Sequence, residues 1–577
     1  MVNSDSAASL TNGVGDSDFW HSIDWGQEEG AVRKLRQRIY KASRDGNLKQ
    51  VRNLQKLMLR SRANMLTSIR RVTQRSTGKK TAGVDGQTAL SPERRGKLAR
   101  QLLAEPEPAA MPVRRVHIPK ANGKKRPLGI PVITDRVQQA RAKNALEPEW
   151  EARFEARSYG FRPGRGCHDA IDSIFKIASL KRAKRLWVLD ADLSAAFDRI
   201  NHDALMDGLG TFPARQQVRK WLKAGVMEHG TYSRTEEGTP QGGVISPLLL
   251  NIVLHGMGDA IGANLPRSMR VKMAGAPALV RYADDFVVFC RTEEEAWQLK
   301  DELSAWLSPR GLSFNEEKTR VVHVDEGFDF LGCTVRRFNG KLIIKPSKEA
   351  VQRIKVKLRT IVKESQGGSA QTLVIRLNPL VRGWATYYQP FVSKKTFADL
   401  DSYMFTILRR WALKSHRRKS WAWVAYRHWG KYRTGRNDRW VFGDSERHLT
   451  KFSWTKIVRH TLVKGDYSKD DAELASYWAA RSRKRLPQAE SKRILTLAAR
   501  QKGLCPGCGL DLIEGAGYDP DDVNDWAKWF TANLRGIHVH HKTYRRNGGS
   551  DEIANLEVRH TFCHQQLHAE DHRKGIY

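Results

Sequence analysis

Apolar positions near the start of the chain recur at the spacing of an amphipathic helix. They repeat every three or four residues over 32–39 and again over 51–58, with a polar break at Asp45-Gly46-Asn47. This pattern predicts two helices joined by a short turn. The residues before them, 1–17, are rich in Ser, Asn and Asp, which predicts a disordered tail.

A strand-like pattern follows in the next part of the chain. Short runs of β-branched and aromatic residues occupy 186–189, 278–282 and 286–289. Runs of this length and composition predict buried strands, so we expect a region of mixed helices and strands built around a sheet. Beyond residue 341 the chain becomes richer in Lys and Arg.

Charge indicates a nucleic-acid partner. The formal net charge is +38 with a pI near 10.1, and a field of that sign attracts a polyanion. Residues 341–500 carry 36 Lys and Arg against 12 Asp and Glu, so much of the excess lies there. The aromatic residues interleaved with this charge are Trp384, Tyr387, Tyr388, Trp411, Trp421, Trp423, Trp429 and Trp440. Such rings suit base stacking, but each is equally a candidate for the core. A basic protein that binds RNA without catalysis remains an alternative.

Cysteine spacing predicts a metal site near the C-terminus. The two runs Cys505-Pro506-Gly507-Cys508 and His560-Thr561-Phe562-Cys563 each place a pair of ligands at the same gap. Together they suit one tetrahedral, structural Zn²⁺. The other three cysteines have no partner spacing, which favours a reducing compartment. The chain has no apolar run of about 18 residues and no basic, apolar leader, so we expect a cytoplasmic protein that does not enter a membrane.

Three acids are placed for phosphoryl transfer. Asp284 and Asp285 lie between two strand-like runs, so a hairpin turn would present both carboxylates at the tip of a sheet. Asp192 follows the run at 187–189 and is the expected third acid. Acids massed at strand ends repel one another unless cations bind, and polymerases hold two divalent ions about 3.5–4 Å apart with such carboxylates. The alternative is an ordinary solvated turn.

An ordered series of motifs runs through the first two thirds of the chain. The series consists of Arg114-Arg115-Val116-His117-Ile118-Pro119-Lys120, Arg126-Pro127-Leu128-Gly129-Ile130-Pro131, Tyr159-Gly160-Phe161-Arg162-Pro163-Gly164, the Asp192 segment, Gly238-Thr239-Pro240-Gln241-Gly242-Gly243, Tyr282-Ala283-Asp284-Asp285, Gly311-Leu312-Ser313-Phe314 with Lys318-Thr319, and Phe330-Leu331-Gly332. It resembles the successive sequence blocks of group II intron-encoded reverse transcriptases. The run from Leu377 to Trp384 resembles the opening of that family's thumb and maturase segment.

The resemblance implies roles for individual residues of the polymerase. Asp192 and Asp284 would hold two Mg²⁺ ions, with the Leu193 carbonyl and Asp285 completing the site. Residues that would bind the incoming triphosphate are Lys120 and Arg126, assisted by Arg114. Gln241 would pack on the templating base pair, in a loop whose glycines allow close approach to bases. Phe197 would exclude a ribose 2′-hydroxyl, although without the family a plain core aromatic is the preferred interpretation.

The C-terminal residues resemble the HNH nuclease of the same family. His540, His564 and His568 would hold one divalent cation, because residues four apart on a helix face the same way. His541 falls at the position of the general base, and Asn555 would orient it. His538 departs from the pattern, where the family often has an acid. A degenerate finger that binds DNA without cutting it is the alternative.

The resemblance also implies an architecture. We expect an α+β multidomain protein, a right-hand polymerase with an antiparallel palm sheet and a helical thumb, followed by a small zinc-stapled ββα nuclease. The expected segments are a tail at 1–17, an N-terminal helical extension at 18–86, fingers and palm at 87–340, a thumb and maturase segment at 341–444, a DNA-binding region at 445–495 and the nuclease at 496–577. The nuclease is expected to be a separate tail.

The implied function is that of a mobile-element enzyme. The protein would assist splicing of its intron RNA, copy that RNA from dNTPs, and nick the second strand of a target DNA. The rival is a maturase that only binds RNA; a purely structural nucleic-acid binder ranks third, because it would have no reason to mass three acids. Retron, diversity-generating and CRISPR-linked reverse transcriptases share the palm motifs but not the nuclease tail. The oligomeric state stays open.

Overall fold

The computed structural model describes residues 15–119, 125–264, 276–433, 435–485, 492–513 and 536–576. Residues 1–14 of the predicted tail lie outside this part of the chain. A helix begins at Asp16, two residues inside the range predicted to be disordered, because Phe19 and Trp20 are buried. None of the described helices is long and apolar enough to cross a membrane.

The N-terminal part is helical, as the apolar spacing predicts. Its helices are α1 (Asp16–His21), α2 (Trp25–Arg44), α3 (Leu48–Arg60), α4 (Arg62–Arg70) and α5 (Pro92–Ala104). Asn47 ends the predicted polar break and caps α3 by accepting a hydrogen bond from the Gln50 amide. A π-helical turn, Arg71–Arg75, continues α4.

The region expected to form the fingers, which we call the fingers, combines a four-stranded sheet with two helices. The elements in chain order are β1 (Val113–Pro119), β2 (Lys125–Ile130), α6 (Ile133–Glu151) and α7 (Cys167–Ala178). β1 pairs antiparallel with β2 and parallel with β4 (Val226–Glu228), and β5 (Thr231–Ser233) completes the sheet. α6 is buried almost all round, which explains its lack of an amphipathic pattern.

The sheet expected to form the palm, which we call the palm sheet or palm, has four antiparallel strands in the order β6-β7-β3-β8. Its strands are β3 (Trp187–Asp192), β6 (Ala278–Tyr282), β7 (Asp285–Cys290) and β8 (Arg320–His323). Three of the four were predicted from β-branched and aromatic runs. The palm helices are α8 (Ala196–Arg199), α9 (His202–Leu209), α10 (Arg215–Leu222), α11 (Ser246–Val253), α12 (Met257–Ala260) and α13 (Glu293–Leu307).

A small sheet connects the palm to four further helices. The sheet, in the order β11-β10-β9, is made of β9 (Phe328–Phe330), β10 (Cys333–Phe338) and β11 (Lys341–Pro346). The helices are α14 (Lys348–Glu364), α15 (Ala370–Tyr388), α16 (Lys394–Ser415) and α17 (Trp421–His428). Two tyrosines of α15, Tyr387 and Tyr388, donate to the carbonyls of Leu331 and Gly332, both at 2.7 Å. These bonds tie the helical segment to the palm.

The aromatic residues of this helical segment divide between core and surface. The buried ones are Trp384, Tyr387, Tyr388, Trp411 and Trp429. Trp423 and Trp440 keep 40% and 50% of their area exposed. Five of the eight rings are therefore core residues, as one of the two interpretations has it. The exposed rings of Trp423 and Trp440 offer a surface for bases.

The remaining elements form the C-terminal part. They are β12 (Trp429–Gly430), β13 (Val441–Phe442), α18 (Ala475–Arg485), α19 (Lys492–Arg500), β14 (Ile537–His541), β15 (Leu556–His560) and α20 (Thr561–Arg573). β14 and β15 pair antiparallel, and α20 follows β15 directly in the chain, which gives the predicted ββα arrangement.

The nuclease is not the separate tail that the sequence predicts. One hydrophobic core contains Trp20 and Trp25 of the N-terminal part together with Leu497, Cys508 and Val558 of the C-terminal part. The sequence could not reveal this contact, because either segment alone reads as an ordinary amphipathic or metal-bound unit.

Part of the segment predicted to bind DNA forms a strap, which we define as residues 460–485, that is anchored by buried side chains such as Asp470 and Arg481. Arg36 of α2 donates to Asp470 at 2.6 Å, and Arg481 donates to Asp169 of α7 at 2.6 Å. Lys469 forms an ion pair with Asp511 next to the cysteine pair. The strap therefore joins the N-terminal helices, the palm side of the fingers and the C-terminal part.

Candidate active sites

The Tyr282-Ala283-Asp284-Asp285 motif forms a hairpin in which Ala283 and Asp284 are the two turn residues between β6 and β7. Tyr282 pairs with Asp285 across the hairpin, and Ala283 has a φ of +58°. Asp192, the last residue of β3, pairs with Asp285. The hairpin predicted from the strand pattern is thus present, and it brings Asp284 and Asp285 to the end of the sheet at which Asp192 lies.

Buried contacts fix the backbone of this turn. The Tyr159 amide donates to the Arg281 carbonyl at 2.9 Å, and Arg281 donates to Asn251 at 3.0 Å. Asn251 in turn donates to the Gly160 carbonyl at 2.8 Å. A Cβ on Gly160 would overlap the backbone nitrogen of Ala283, so this motif position requires glycine. The Tyr159-Gly160 motif therefore positions the turn.

A fourth acid, Asp190, lies in the same cluster and was not predicted to take part. Side chains two apart on a strand share a face, so Asp190 lies on the face of Asp192. Arg320 Nε donates to Asp190 Oδ2 at 3.0 Å. Burial raises the pKa of Asp190 to about 6, against the opposing effect of Arg320. The alternation along β3 was the signal that could have identified this residue.

The excess negative charge of the cluster fits a divalent cation. Burial and the charges of Asp190, Asp192 and Asp284 raise the pKa of Asp285 well above its ordinary value. Lys318 Nζ lies 2.5 Å from Asp192. Burial lowers the pKa of Lys318, but the bond to Asp192 and the neighbouring acids raise it overall. The carboxylates are not among the sets of three ligand atoms within 4.8 Å of one another in the described part of the chain.

A chain of polar contacts joins the fingers to the palm beside this cluster. Arg126 Nε on β2 donates to Gln241 Oε1 at 2.9 Å, and Gln241 Nε2 donates to Asp198 Oδ2 at 3.1 Å. A Cβ on Gly242 would overlap the carbonyl of Gly129. In this structure the loop glycine therefore permits close approach to the fingers strand, where the sequence predicted an approach to bases.

Arg114, a further predicted triphosphate ligand, lies on β1. Arg114 donates to the Ala82 carbonyl at 2.7 Å, which links this strand to the N-terminal part. Lys120 lies outside the described residues. Arg114 and Arg126 lie on the two paired strands β1 and β2.

Phe197 and Leu193 belong to one hydrophobic core, together with Ala283 of the turn. Phe197 is 6% exposed and meets Phe161 edge to face, with ring centroids 6.3 Å apart. The Phe197 carbonyl accepts from the Thr239 amide in the Gln241 loop. Leu193 is buried and bridges to Phe314. Phe197 is therefore a core residue whose backbone also holds the loop of Gln241.

The structure brings the four predicted zinc ligands together. Cys505, Cys508, His560 and Cys563 are all buried, and their ligand atoms lie within 4.8 Å of one another. His560 Nε2 is 3.1 Å from the Asp511 carbonyl, so this nitrogen donates and Nδ1, 3.4 Å from Cys508 Sγ, keeps its lone pair. An outer hydrogen bond of this kind is typical of a metal-binding histidine, so the residues fit Zn²⁺.

The three predicted nuclease histidines also meet. The ring nitrogens of His540, His564 and His568 lie within 4.8 Å of one another, and His564 Nε2 is 3.1 Å from His568 Nε2. Burial and the neighbouring histidines lower the pKa of His564 to about 4, and burial lowers that of His540. Neutral imidazoles with converging lone pairs fit a divalent cation.

Tyr544, a residue that was not predicted, orients His568. Its hydroxyl donates to Asp571 Oδ2 at 2.5 Å and lies 3.4 Å from His568 Nδ1. Since the hydroxyl proton goes to Asp571, His568 Nδ1 donates and Nε2 faces the other histidines. His538, where the family often has an acid, stacks on His564 with centroids 5.5 Å apart.

The predicted general base has a different partner from the one expected. His541 Nε2 lies 2.7 Å from Asp551 Oδ1, and Arg545 donates to both oxygens of Asp551. Asn555, which was expected to orient His541, instead bonds through its side chain to the backbone of Thr543. A proton on Nε2 leaves Nδ1 of His541 as the acceptor. Asn555 ends the 3-10 turn before β15, and its amide reaches the loop after His541 at Thr543.

Four family models match the chain. Their descriptions are an N-terminal domain of reverse transcriptase at residues 20–102, a reverse transcriptase (RNA-dependent DNA polymerase) at 118–335, a group II intron maturase-specific domain at 351–429 and an HNH endonuclease at 529–570. The acid cluster lies in the second match and the three nuclease histidines in the fourth.

Curated proteins are similar to this chain over more than half of its length. Protein YkfC of Escherichia coli K12 is 33% identical over 354 residues, which cover 56% of this chain and 90% of that protein. Group II intron-encoded protein LtrA of Lactococcus lactis is 30% identical over 364 residues, 53% of this chain and 57% of that protein. The chain thus spans little more than half the length of LtrA. A solved apo telomerase structure from Candida tropicalis aligns at a TM-score of 0.32 and 16% identity over 42% of this chain and 56% of that one, a level that supports no argument.

Proposed function

Because the chain belongs to the family of group II intron-encoded reverse transcriptases with maturase and HNH nuclease domains, we propose that it copies its intron RNA into DNA at a nicked target, assists splicing of that RNA and cuts the second DNA strand. Its direct partners would be the intron RNA, the target DNA and dNTPs. The match to a reverse transcriptase and to an HNH endonuclease makes it an enzyme of both classes.

The polymerase centre would be the acid cluster of the palm. Asp192 and Asp284 would hold two Mg²⁺ ions with the Leu193 carbonyl, and Asp285 would complete the site. Bound there, the ions would activate the primer 3′-oxygen and stabilise the leaving pyrophosphate. The strand pairing of Asp192 with Asp285 and the salt bridge of Asp190 with Arg320 link β3 to its two neighbouring strands beside the site. Lys318 would leave Asp192 when the ions bind.

The incoming nucleotide would be held from the fingers side. Arg126, Arg114 and Lys120 would neutralise the triphosphate, where negative charge accumulates during transfer. Gln241 would pack on the templating base pair, and its contacts with Arg126 and Asp198 place it between fingers and palm. Phe197 would exclude a 2′-hydroxyl from the sugar.

The nuclease would use two sets of histidines with separate tasks. His540, His564 and His568 would hold a divalent cation against the scissile phosphate. His541 would accept a proton from the attacking water at Nδ1, because Asp551 holds the proton on Nε2. Cys505, Cys508, His560 and Cys563 would bind a structural Zn²⁺, and Asn555 would brace the loop after His541.

One observation carries the proposal most strongly: Asp192 and Asp285 are paired residues of neighbouring strands, at the end where the turn presents Asp284. A maturase that only binds RNA would gain nothing from massing acids there, since like charges at this distance repel one another. The intact set of acids and histidines therefore favours the enzyme over the rival.

The test is a reconstituted ribonucleoprotein of this chain with the RNA that copurifies with it. Sequencing should identify that RNA as an intron, and the particle should splice it, insert it into duplex DNA and synthesise cDNA. Asp284→Asn should lose only the cDNA, and His541→Ala should lose only the second-strand nick. The surface variant Asp207→Asn serves as the control, since its side chain is 84% exposed. Copurified RNA without intron structure, or cDNA from Asp284→Asn, would contradict the proposal.

A further inference from the structure

One cysteine of the zinc cluster contacts the N-terminal part of the chain. Arg70 Nη2, at the end of α4, lies 2.9 Å from Cys563 Sγ, although the two residues are 493 positions apart. Arg70 is fully buried, and its guanidinium lies between the rings of Trp25 and Phe562, 4.4 and 4.8 Å from their centroids. The Cys563 sulfur and the Arg70 guanidinium therefore meet inside the protein.

A buried guanidinium needs negative charge nearby, because burial removes its hydration. Glu29 lies 3.4 Å from Arg70 and is shared with Arg75 at 3.6 Å. Zinc bound by three thiolates and a neutral imidazole carries one negative charge in excess. A hydrogen bond between a guanidinium and such a thiolate is charge-assisted on both sides. The Cys563 sulfur also lies closer to Arg70 than the Glu29 carboxylate does.

The surroundings of this contact form a continuous interface. Gln566 of α20 donates to the carbonyls of His21 and Ile23 at 3.0 and 2.8 Å. Arg33 of α2 donates to the Gly509 carbonyl, one residue after Cys508, at 3.3 Å. The apolar residues beneath them belong to the core shared by the two ends of the chain.

We propose that Arg70 is an outer-sphere residue of the zinc centre, so that the metal fixes the nuclease to the N-terminal helices as well as folding the nuclease itself. This proposal rests on the zinc ligands proposed above. Outer-sphere partners of a metal ligand commonly change metal affinity by about 10–100-fold. The zinc centre is accordingly a joint between the two ends of the chain.

The first experiment measures zinc release from the full-length protein into a chromogenic chelator. Arg70→Met, which keeps the bulk and removes the charge, should release zinc at least about tenfold faster than wild type. Arg70→Lys should release zinc at a rate between those of wild type and Arg70→Met, because lysine keeps the charge without the planar guanidinium. The matched control is Arg141→Met, which removes an equally buried guanidinium that bonds to Gln138 and the Pro106 carbonyl.

The second experiment measures hydrogen exchange of the wild-type protein with and without zinc. Removing zinc should speed exchange in Asp16–His21 and Arg62–Arg70 as well as in the nuclease strands, while the palm strand Trp187–Asp192 stays unchanged. Equal zinc release from the Arg70 and Arg141 variants, or N-terminal exchange that does not respond to zinc, would overturn the proposal. If Arg70→Met does not fold, the wild-type exchange data decide alone. A wild-type protein that binds no zinc would instead overturn the ligand set.

Discussion

Asp169→Asn should loosen the strap that crosses the molecule. Asp169 is 1% exposed, and its Oδ1 accepts from Arg481 at 2.6 Å, from His460 at 2.9 Å and from the Val463 amide at 2.9 Å. Its Oδ2 accepts from the Gly166 amide at 3.0 Å. Asparagine has the same shape but offers only one acceptor oxygen and no charge.

The size of the effect follows from these partners. The substitution leaves the buried Arg481 guanidinium without its carboxylate, and breaking a buried pair in this way costs about 3–5 kcal/mol. It also turns the amide NH₂ toward the Gly166 N–H, so two donors face each other. Because asparagine still accepts the bonds at Oδ1, we expect the lower end, about 3 kcal/mol, which corresponds to about a hundredfold in an opening equilibrium.

Hydrogen exchange measures this directly, because strap amides are hydrogen-bonded within the strap. The amides of Tyr467, Asp471 and Leu474 donate to nearby backbone carbonyls. Their protection should fall about a hundredfold in Asp169→Asn. Asp172→Asn is the matched control on the same helix. Asp172 is partly exposed and pairs with the exposed Lys176 at 3.5 Å, and an ion pair of this kind contributes about 0.5 kcal/mol. Protection that changes less than about threefold in Asp169→Asn, or equally in both variants, would refute the reasoning.

Three further predictions follow from single side chains. Phe197→Ala should raise incorporation of ribonucleotides relative to deoxynucleotides in single-nucleotide extension, and an unchanged ratio would show that Phe197 is only a core residue. Burial raises the pKa of Asp135 to about 6, so its ionisation disfavours the folded state and wild-type stability should fall as pH rises from about 4 to 6. The free energy of unfolding of Asp135→Asn minus that of wild type should therefore increase by about 1–3 kcal/mol between pH 5 and 7.5. A difference that does not change with pH would argue against that burial effect. Tyr544→Phe should weaken Mn²⁺ binding at the nuclease about tenfold in calorimetry, because His568 loses its outer partner; unaltered affinity would remove Tyr544 from that role.

The sequence predicts those parts of the site that depend on local pattern. The strand runs on either side of Asp284 determine a hairpin, and the gap of four between His564 and His568 places both on one face of a helix. The repeated gap of two in the cysteine and histidine pairs likewise predicts one metal site. In each case a period of the backbone, known from the sequence, sets the direction of the side chain.

The remaining features depend on contacts between distant segments. Nothing local to α4 indicates that Arg70 meets Cys563, and nothing in the basic region before residue 485 indicates that Asp470 pairs with Arg36. Asp551 is the partner of His541 because a loop folds back, whereas the family pattern drew attention to Asn555. Such pairings arise from tertiary packing, so the sequence alone left the nuclease as a separate tail.

Primer extension by purified Asp284→Asn protein tests the central claim, that the palm acids are the centre of an RNA-directed DNA polymerase. With Mg²⁺, dNTPs and a DNA primer on an RNA template, wild type should extend the primer, and the variant should be at least about a thousandfold slower because an isosteric amide cannot hold the cation. Binding of the template–primer should stay within about twofold of wild type, as it should in Asp207→Asn, which should also extend normally. Extension by Asp284→Asn at a rate near that of wild type would contradict the account.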